Sequence, residues 1–538
     1  MALQLIILND VDRYRPDVVA ALSKATGTRV EIGSMTAARF EWLPTVVLDH
    51  VTIFDPDGRP GLVLNHVEGC VSVLGFLRGR VDLSTLIIDQ PTLTLKRAAD
   101  GQLFLSGIPL PRPDSGPSQF MEWLVNQGEI RITNATIHWI DDVLKVPPLL
   151  FSQGSIRIRN SGTHHRVDVT FMPPTRISEP VALKADFYGE DLTDFRDWHG
   201  SVVAQSTCLD LGALKPWMPQ LSRLESGRGQ LKLTFSMVRL QQWGLQADGD
   251  VSDLEARLEP GLPVLHFDRL RGGMSFKSIA GGFDLATDQL VASGAASLKT
   301  IVPLDMHLRY TETGGSLQVN QLELAQLTGL ADALPLSADQ RTQWREAGFK
   351  GRVSHLDLAW KGSQAQPSNY AMHSDFTDFQ ANPRGLLPAI RGFSGHLDAT
   401  EDGGQLKGKG TDTILNFPKI FAVPIPVRTY TLDASWVRQQ AQTEIHFNRI
   451  EVENADLAGS MTGKLLVGPE GPEDSHLTGE LQRALPAAVW RYLPLDVSAD
   501  ARNWLQSALI GGAARHVAFE VNGNLQQFPF PHDQGVRF

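Results

Sequence analysis

Histidines are the side chains best suited to metal binding or acid–base work at neutral pH, and of the fifteen here only His164 and His165 are adjacent. Neighbours on a strand point to opposite faces, so this pair is poorly placed to share one ion. The histidines therefore read as surface and turn residues. Asp55-Pro56-Asp57-Gly58 has the acidic opening of a calcium loop, but the later ligands and closing Glu of an EF-hand are absent, so it reads as a type I turn. Gly227-Arg228-Gly229 lacks the third glycine of a dinucleotide fingerprint, and no GxxxxGK[ST] phosphate loop occurs. No GxSxG elbow marks a nucleophilic serine, and no two carboxylates can be paired for glycan hydrolysis. Cys70 and Cys208 are too distant for a zinc or CxxC motif and read as buried small hydrophobes rather than a disulfide. The tryptophans, among them Trp42, Trp123, Trp139, Trp217, Trp243, Trp360, Trp436, Trp490 and Trp504, are dispersed and read as core or edge packing. No enzymatic activity, catalytic residue, metal ligand or cofactor is expected.

At 538 residues the chain exceeds one ordinary domain and must divide or extend by repetition. Its net charge of −11 opposes nucleic-acid binding, which needs clustered Lys and Arg. No apolar run reaches the length of about eighteen residues that a spanning helix needs. The apolar start Leu3-Gln4-Leu5-Ile6-Ile7-Leu8 lacks a basic flank or a cleavage site and reads as the tail of an upstream segment.

Period-two alternation dominates. In Ser155-Ile156-Arg157-Ile158-Arg159 the isoleucines share one strand face and the arginines the other. The pattern recurs at Leu93/Leu95, Ile130/Ile132, Val167/Val169/Phe171, Leu231/Leu233/Phe235, Leu356/Leu358/Trp360, Leu432/Trp436, Ile445/Phe447 and Val517/Phe519/Val521. Turn residues punctuate it at Asp100-Gly101, Asn160-Ser161-Gly162, Thr313-Gly314-Gly315 and Glu401-Asp402-Gly403-Gly404. Such spacings suit antiparallel hairpins and meanders rather than βαβ crossovers. Helices are expected over 13–25, ending at Gly27; after Ser337, where Ser-Ala-Asp-Gln forms a capping box, to Gly348; over 498–510; and in short pieces at 120–126 and 486–492. They read as plugs or caps on a mainly β fold. Repetition is loose, without the fixed period of a regular β-helix. The apolar stripe fits either a sandwich core or one curled sheet with an open apolar face, and periodicity does not choose between them.

Asp12-Arg13-Tyr14-Arg15, Arg29-Val30-Glu31-Ile32-Gly33, Leu48-Asp49-His50-Val51-Thr52-Ile53-Phe54-Asp55, Leu77-Arg78-Gly79-Arg80-Val81 and Ile88-Asp89-Gln90-Pro91-Thr92-Leu93 resemble the opening of AsmA-like proteins. Gly128-Glu129-Ile130-Arg131-Ile132 with Ala135-Thr136-Ile137-His138-Trp139, His165-Arg166-Val167 and Phe171-Met172-Pro173-Pro174 are similar to the YhdP branch. So are Arg491-Tyr492-Leu493-Pro494, Asn503-Trp504-Leu505 and Phe528-Pro529-Phe530, so the likeness runs nearly end to end.

The resemblance implies a long curled antiparallel sheet forming an apolar groove, a β-taco, that moves phospholipid between the inner and outer membranes of a Gram-negative envelope. It implies a periplasmic protein held to the inner membrane by a helix upstream of Met1, with further chain beyond Phe538 and partners in the periplasm or outer membrane. The expected segments are 1–110, N-terminal helix and hairpins; 111–335 and 336–485, successive parts of the groove; and 486–538, a helical insert opening the next part. Groove-lining candidates are Leu93, Leu95, Ile130, Ile132, Ile156, Ile158, Val167, Val169, Phe171, Leu231, Leu233, Phe235, Leu356, Leu358, Ile445 and Phe447. They would solvate phospholipid acyl chains at about 0.8 kcal/mol per CH₂ removed from water. The alternative expectation is an envelope assembly scaffold that captures proteins by pairing at strand edges.

Overall fold

A computed structural model describes residues 11–26, 28–40, 43–55, 57–71, 83–110, 127–189, 198–238, 242–294, 303–334, 336–363, 366–384, 387–469, 471–527 and 535–537. The expected helix at 120–126, the Leu77–Val81 and Phe528–Phe530 stretches and the Gly27 stop lie outside the described residues.

The alternating segments form strands, and the fold is mainly β with few, short helices. Ile156 and Ile158 are half-buried while Arg157 and Arg159 are exposed, the split that period two requires. The chain divides into two compact units, Met1–Ala256 with His266–Ile279, and Arg257–Leu265 with Ala280–Phe538.

In the first unit the Val30–Phe40 strand pairs antiparallel with Leu43–Phe54, which pairs with Pro60–Val71, which pairs with Leu83–Asp89. The Glu129–Asp141 strand then runs parallel to both Leu83–Asp89 and Thr92–Arg97. This departure from hairpin topology arises because residues 98–128 provide enough chain to return to the starting end. A meander follows through Leu149–Ser161, His164–Met172, Val181–Tyr188, His199–Asp210, Leu224–Val238 and Gln242–Ala256, each pairing antiparallel with the next.

The Arg15–Thr26 helix covers one end of this sheet: Val18, Val19 and Leu22 pack on a core of Val30, Ile32, Val51, Leu64, Val67, Leu86 and Ile130. Arg15 Nη1 donates to the Gly33 carbonyl at 2.6 Å, and Asp12 accepts from the Met35 N–H at 3.2 Å, tying the helical segment to the sheet. A second cluster of Leu211, Val251 and Leu254 sits under the one-turn Leu211–Leu214 helix, whose start is capped by Asp210. That helix is too short to leave a periodicity in the sequence.

In the second unit a meander runs from Gly282–Ser293 through Leu304–Thr311, Gly314–Glu323, Lys350–Ser363, Gln366–Ala381, Ala389–Thr400, Gly403–Asn416, Ile425–Gln439, Gln442–Glu453, Leu457–Gly468, Gly471–Ala484 and Val517–Gly523 to Gly535–Arg537. The Ala338–Ala347 helix has the expected capping box of Ser337 with Gln340 and stops at Gly348, whose φ of 56° is left-handed. The Leu324–Leu330 helix before it was not anticipated. The Pro486–Tyr492 and Ala499–Ala508 helices lie where sequence placed them. Asp456 anchors the first by accepting from Arg491 at 2.9 Å and the Tyr492 hydroxyl at 3.1 Å.

Both cysteines are free. Cys70 is buried as expected, but Cys208 is exposed, within the register shift between Ser206 and Leu209. Trp243 and Trp504 are likewise exposed rather than packed in a core.

Candidate functional site

Strand register carries the apolar side chains into rows, since partners opposite one another on adjacent strands share a face. In the first unit one row runs Met35, Leu48, Val67, Ile88, Ile132, Ile156, Val169, Leu183, Ala204, Leu233 and Ala247. A second, two residues along each strand, runs Leu86, Ile130, Ile158, Val167, Ala185, Val202, Phe235 and Leu245. Phe171 continues the face through Val181 and Ser206 to Leu231. Leu93 and Leu95 join it opposite Ile137 and Trp139. The bulges at Asn134 and Gln153, both left-handed, offset one another across the pair and keep the apolar side chains on the same side.

Burial changes along these rows. Ile130 is 2% exposed beneath the helix-covered core, the side chains from Ile158 to Val202 are half-buried, and Phe235 reaches 37%. Its ring lies 6.3 Å from Trp243, which in turn lies 5.1 Å from Phe276. Beyond the helix-covered end the apolar side chains thus keep partial exposure.

The second unit has an equivalent face. Leu285, Leu308, Leu317, Leu358, Met372, Ala399, Gly404, Trp436, Ile445 and Leu465 lie in register, and all are half-buried. Leu356 stands opposite Val319, and Phe447 between Ala434 and Gly463. Aromatic rings lie over glycines of the next strand. A Cβ on Gly404 would fall 2.4 Å from the Trp436 ring, and one on Gly315 equally close to Trp360.

The opposite face is charged, and several of its groups are paired. Glu129 accepts from Arg157 at 2.6 Å and from Arg131 at 3.0 Å. Burial pushes its carboxyl up, but the two arginines outweigh that and hold it below the usual glutamate range. Asp186 bonds His164 at 2.8 Å and Arg166 at 3.2 Å, and these partners lower its pKa despite partial burial. Asp250 takes Arg269 at 2.7 Å. Acids neutralised in this way are poorly suited to act as general bases.

On the Gln366–Ala381 and Ala389–Thr400 strands, His373 stands opposite Asp398 and Asp375 opposite His396. Sequence reading missed this group, because the histidines are far apart in the chain and meet only through the hairpin. Its signal was the pair of His-x-Asp segments, His373-Ser374-Asp375 and His396-Leu397-Asp398, on either side of a turn.

Among the described residues no helix is long and apolar enough to cross a membrane. The intermembrane phospholipid transporter YhdP of Escherichia coli (strain K12) is 22% identical to this chain over 357 residues. That alignment covers 63% of this chain, which spans 27% of the length of the relative. No solved structure matches. The sequence matches the YhdP protein family over residues 1–538, and the chain belongs to that family.

Proposed function

We propose that this chain carries phospholipid acyl chains along its apolar sheet faces, without a chemical step, as part of a periplasmic protein anchored to the inner membrane and reaching toward the outer membrane. The observation that carries this proposal is the half-buried state of the register-matched rows from Ile158 to Val202, ending at the exposed Phe235, and from Leu285 to Leu465. A sandwich core would bury these side chains, whereas a face that solvates acyl chains must leave them reachable. The name of the relative, an intermembrane phospholipid transporter, points the same way. Each CH₂ laid against the rows gains about 0.8 kcal/mol, and adjacent strands about 4.8 Å apart repeat that gain at closely spaced steps. Polar headgroups would remain in water at the rim.

Native mass spectrometry of the purified chain tests this. Co-purifying phospholipid that is lost in Leu233→Asp, with the circular dichroism spectrum unchanged, is the expected result. Lipid-free protein that captures an envelope protein through its strand edges would instead favour the scaffold.

A further inference from the structure

Two His-x-Asp segments face each other on the charged side of the second unit. Asp398 meets His373 Nδ1 at 2.8 Å through Oδ1 and His396 Nε2 at 3.0 Å through Oδ2. His396 also meets Asp375 Oδ1 through Nδ1 at 2.7 Å, and Asp375 Oδ2 meets His355 Nδ1 at 2.9 Å. The His373 and His396 rings are 4.4 Å apart at 71°. One ligand atom from each of His373, His396 and Asp398 lies within 4.8 Å of the other two.

Both nitrogens of His396 are engaged by carboxylates. A neutral imidazole carries one N–H, yet both nitrogens of His396 face carboxylate oxygens. If Nδ1–H donates to Asp375, the Nε2 lone pair points at the Asp398 carboxylate, and two electron-rich groups oppose each other with nothing between them. A cation with imidazole and carboxylate affinity placed between Nε2 and Asp398 relieves this, and Asp375 then occupies the position of the outer carboxylate that orients a metal-bound histidine.

We propose that His373 Nδ1, His396 Nε2 and an Asp398 oxygen form a binding site for a divalent transition metal of the zinc class, with Asp375 as a positioning residue. Imidazole and carboxylate donors suit zinc. Bonds of about 2.1 Å in tetrahedral geometry set ligand atoms roughly 3.4 Å apart, so the 2.8 and 3.0 Å nitrogen–oxygen spacings to Asp398 need open only slightly. None of the three side chains is buried, which leaves them free to make that adjustment and leaves the ion a route in. Water would complete the shell. The ion would clasp neighbouring strands on the face away from the apolar rows, so the site is independent of the transport proposal.

The test is calorimetric titration of the metal-stripped chain with zinc chloride, repeated with cobalt(II) so that its visible absorption reports coordination. The expected result is one saturable site per chain, abolished by His396→Ala and by His373→Ala, and weakened roughly 10–100-fold by Asp375→Asn. His266→Ala, at a histidine paired with Glu255 and Asp268 elsewhere, leaves it unchanged. Thermal melts of the metal-free variants establish that they fold. Absence of stoichiometric binding to folded wild-type chain, or binding insensitive to both histidine variants, overturns the proposal.

Discussion

Replacing Phe235 and Ile130 by aspartate in separate variants distinguishes an accessible apolar face from a sealed one. Both side chains belong to the same row, but Ile130 is 2% exposed beneath the helix-covered core and Phe235 is 37% exposed. Complete burial of a phenylalanine is worth about 1.5–3 kcal/mol. Phe235→Asp forfeits only part of that, together with its contact with Trp243, and its carboxylate stays hydrated, so the loss is about 1–3 kcal/mol. Ile130→Asp forfeits the roughly 2–5 kcal/mol of a large-to-small core change and adds several more for a charge with no partner. Against a domain stability of about 5–15 kcal/mol, Ile130→Asp is expected to leave little folded protein. Phe235→Asp is expected to fold with a modestly lowered urea midpoint. Its effect on cargo is larger than its effect on folding, because an acyl chain lying over the carboxylate would strip its water. At roughly 3–4 kcal/mol that is two to three orders of magnitude in lipid affinity. Urea denaturation and native mass spectrometry read the two effects separately. If Phe235→Asp is as destructive to folding as Ile130→Asp, the face is covered and the transport argument fails; if it folds and keeps its lipid, the row does not hold the cargo.

Asp141 is buried where it accepts from Arg97 Nε at 3.0 Å and from the Leu144 N–H at 3.0 Å. Asp141→Asn should cost about 2–3 kcal/mol in urea denaturation, the low end for a broken ion pair because Arg97 keeps some contact with water. His66 has its pKa raised from 6.5, first by its hydrogen bond to Asp49 and then by Glu68. A raised pKa means the folded state holds the proton more tightly, so this stabilisation is complete below pH 6.5 and is lost as pH rises through the folded-state value. Denaturation midpoints measured across that range in wild type and His66→Gln should differ at the acid end and converge at the alkaline end. Gly404→Val drives a side chain into the Trp436 ring and should lower the melting temperature by the equivalent of about 1–3 kcal/mol. Gly511→Ala, where a Cβ meets nothing within 4 Å, should leave it unchanged.

The faces were legible in the sequence because period two is a local property, and Ile156 to Arg159 needs no knowledge of its neighbours. Register was not legible. The left-handed bulge residues Asn134, Gln153 and His355 shift pairings by a residue, and none is a glycine that would have announced itself. The Ser337–Gly348 helix could be read because its cap and stop are chemical signals, whereas the Leu211–Leu214 turn rests on one Asp cap and tertiary packing. The parallel pairing of Glu129–Asp141 depends on where a long connection returns, which composition does not encode. The His373, His396 and Asp398 group was hidden for the same reason as register, since its members become neighbours only when His373 is known to oppose Asp398.

Burial along the rows also constrains how a cargo could move. Ions paired on an exposed face contribute only about 0–1 kcal/mol each, so the charged side cannot by itself hold such long strands together. Much of the hydrophobic stabilisation must come from apolar side chains covering one another sideways, at the lateral spacing of about 4.8 Å between strands. The area left uncovered is what an acyl chain could gain from, and Ile158, Val167, Ala185 and Val202 all stay partly exposed. On the proposed function, gains repeated at successive strands would give a shallow energy profile, which favours sliding over trapping. Where burial is deep, at Val67, Leu86 and Ile130, Val18, Val19 and Leu22 of the Arg15–Thr26 helix already pack on the core. On the proposed function, that helix would bound the path in the first unit, and lipid would enter or leave the face on the Ile158 side of it.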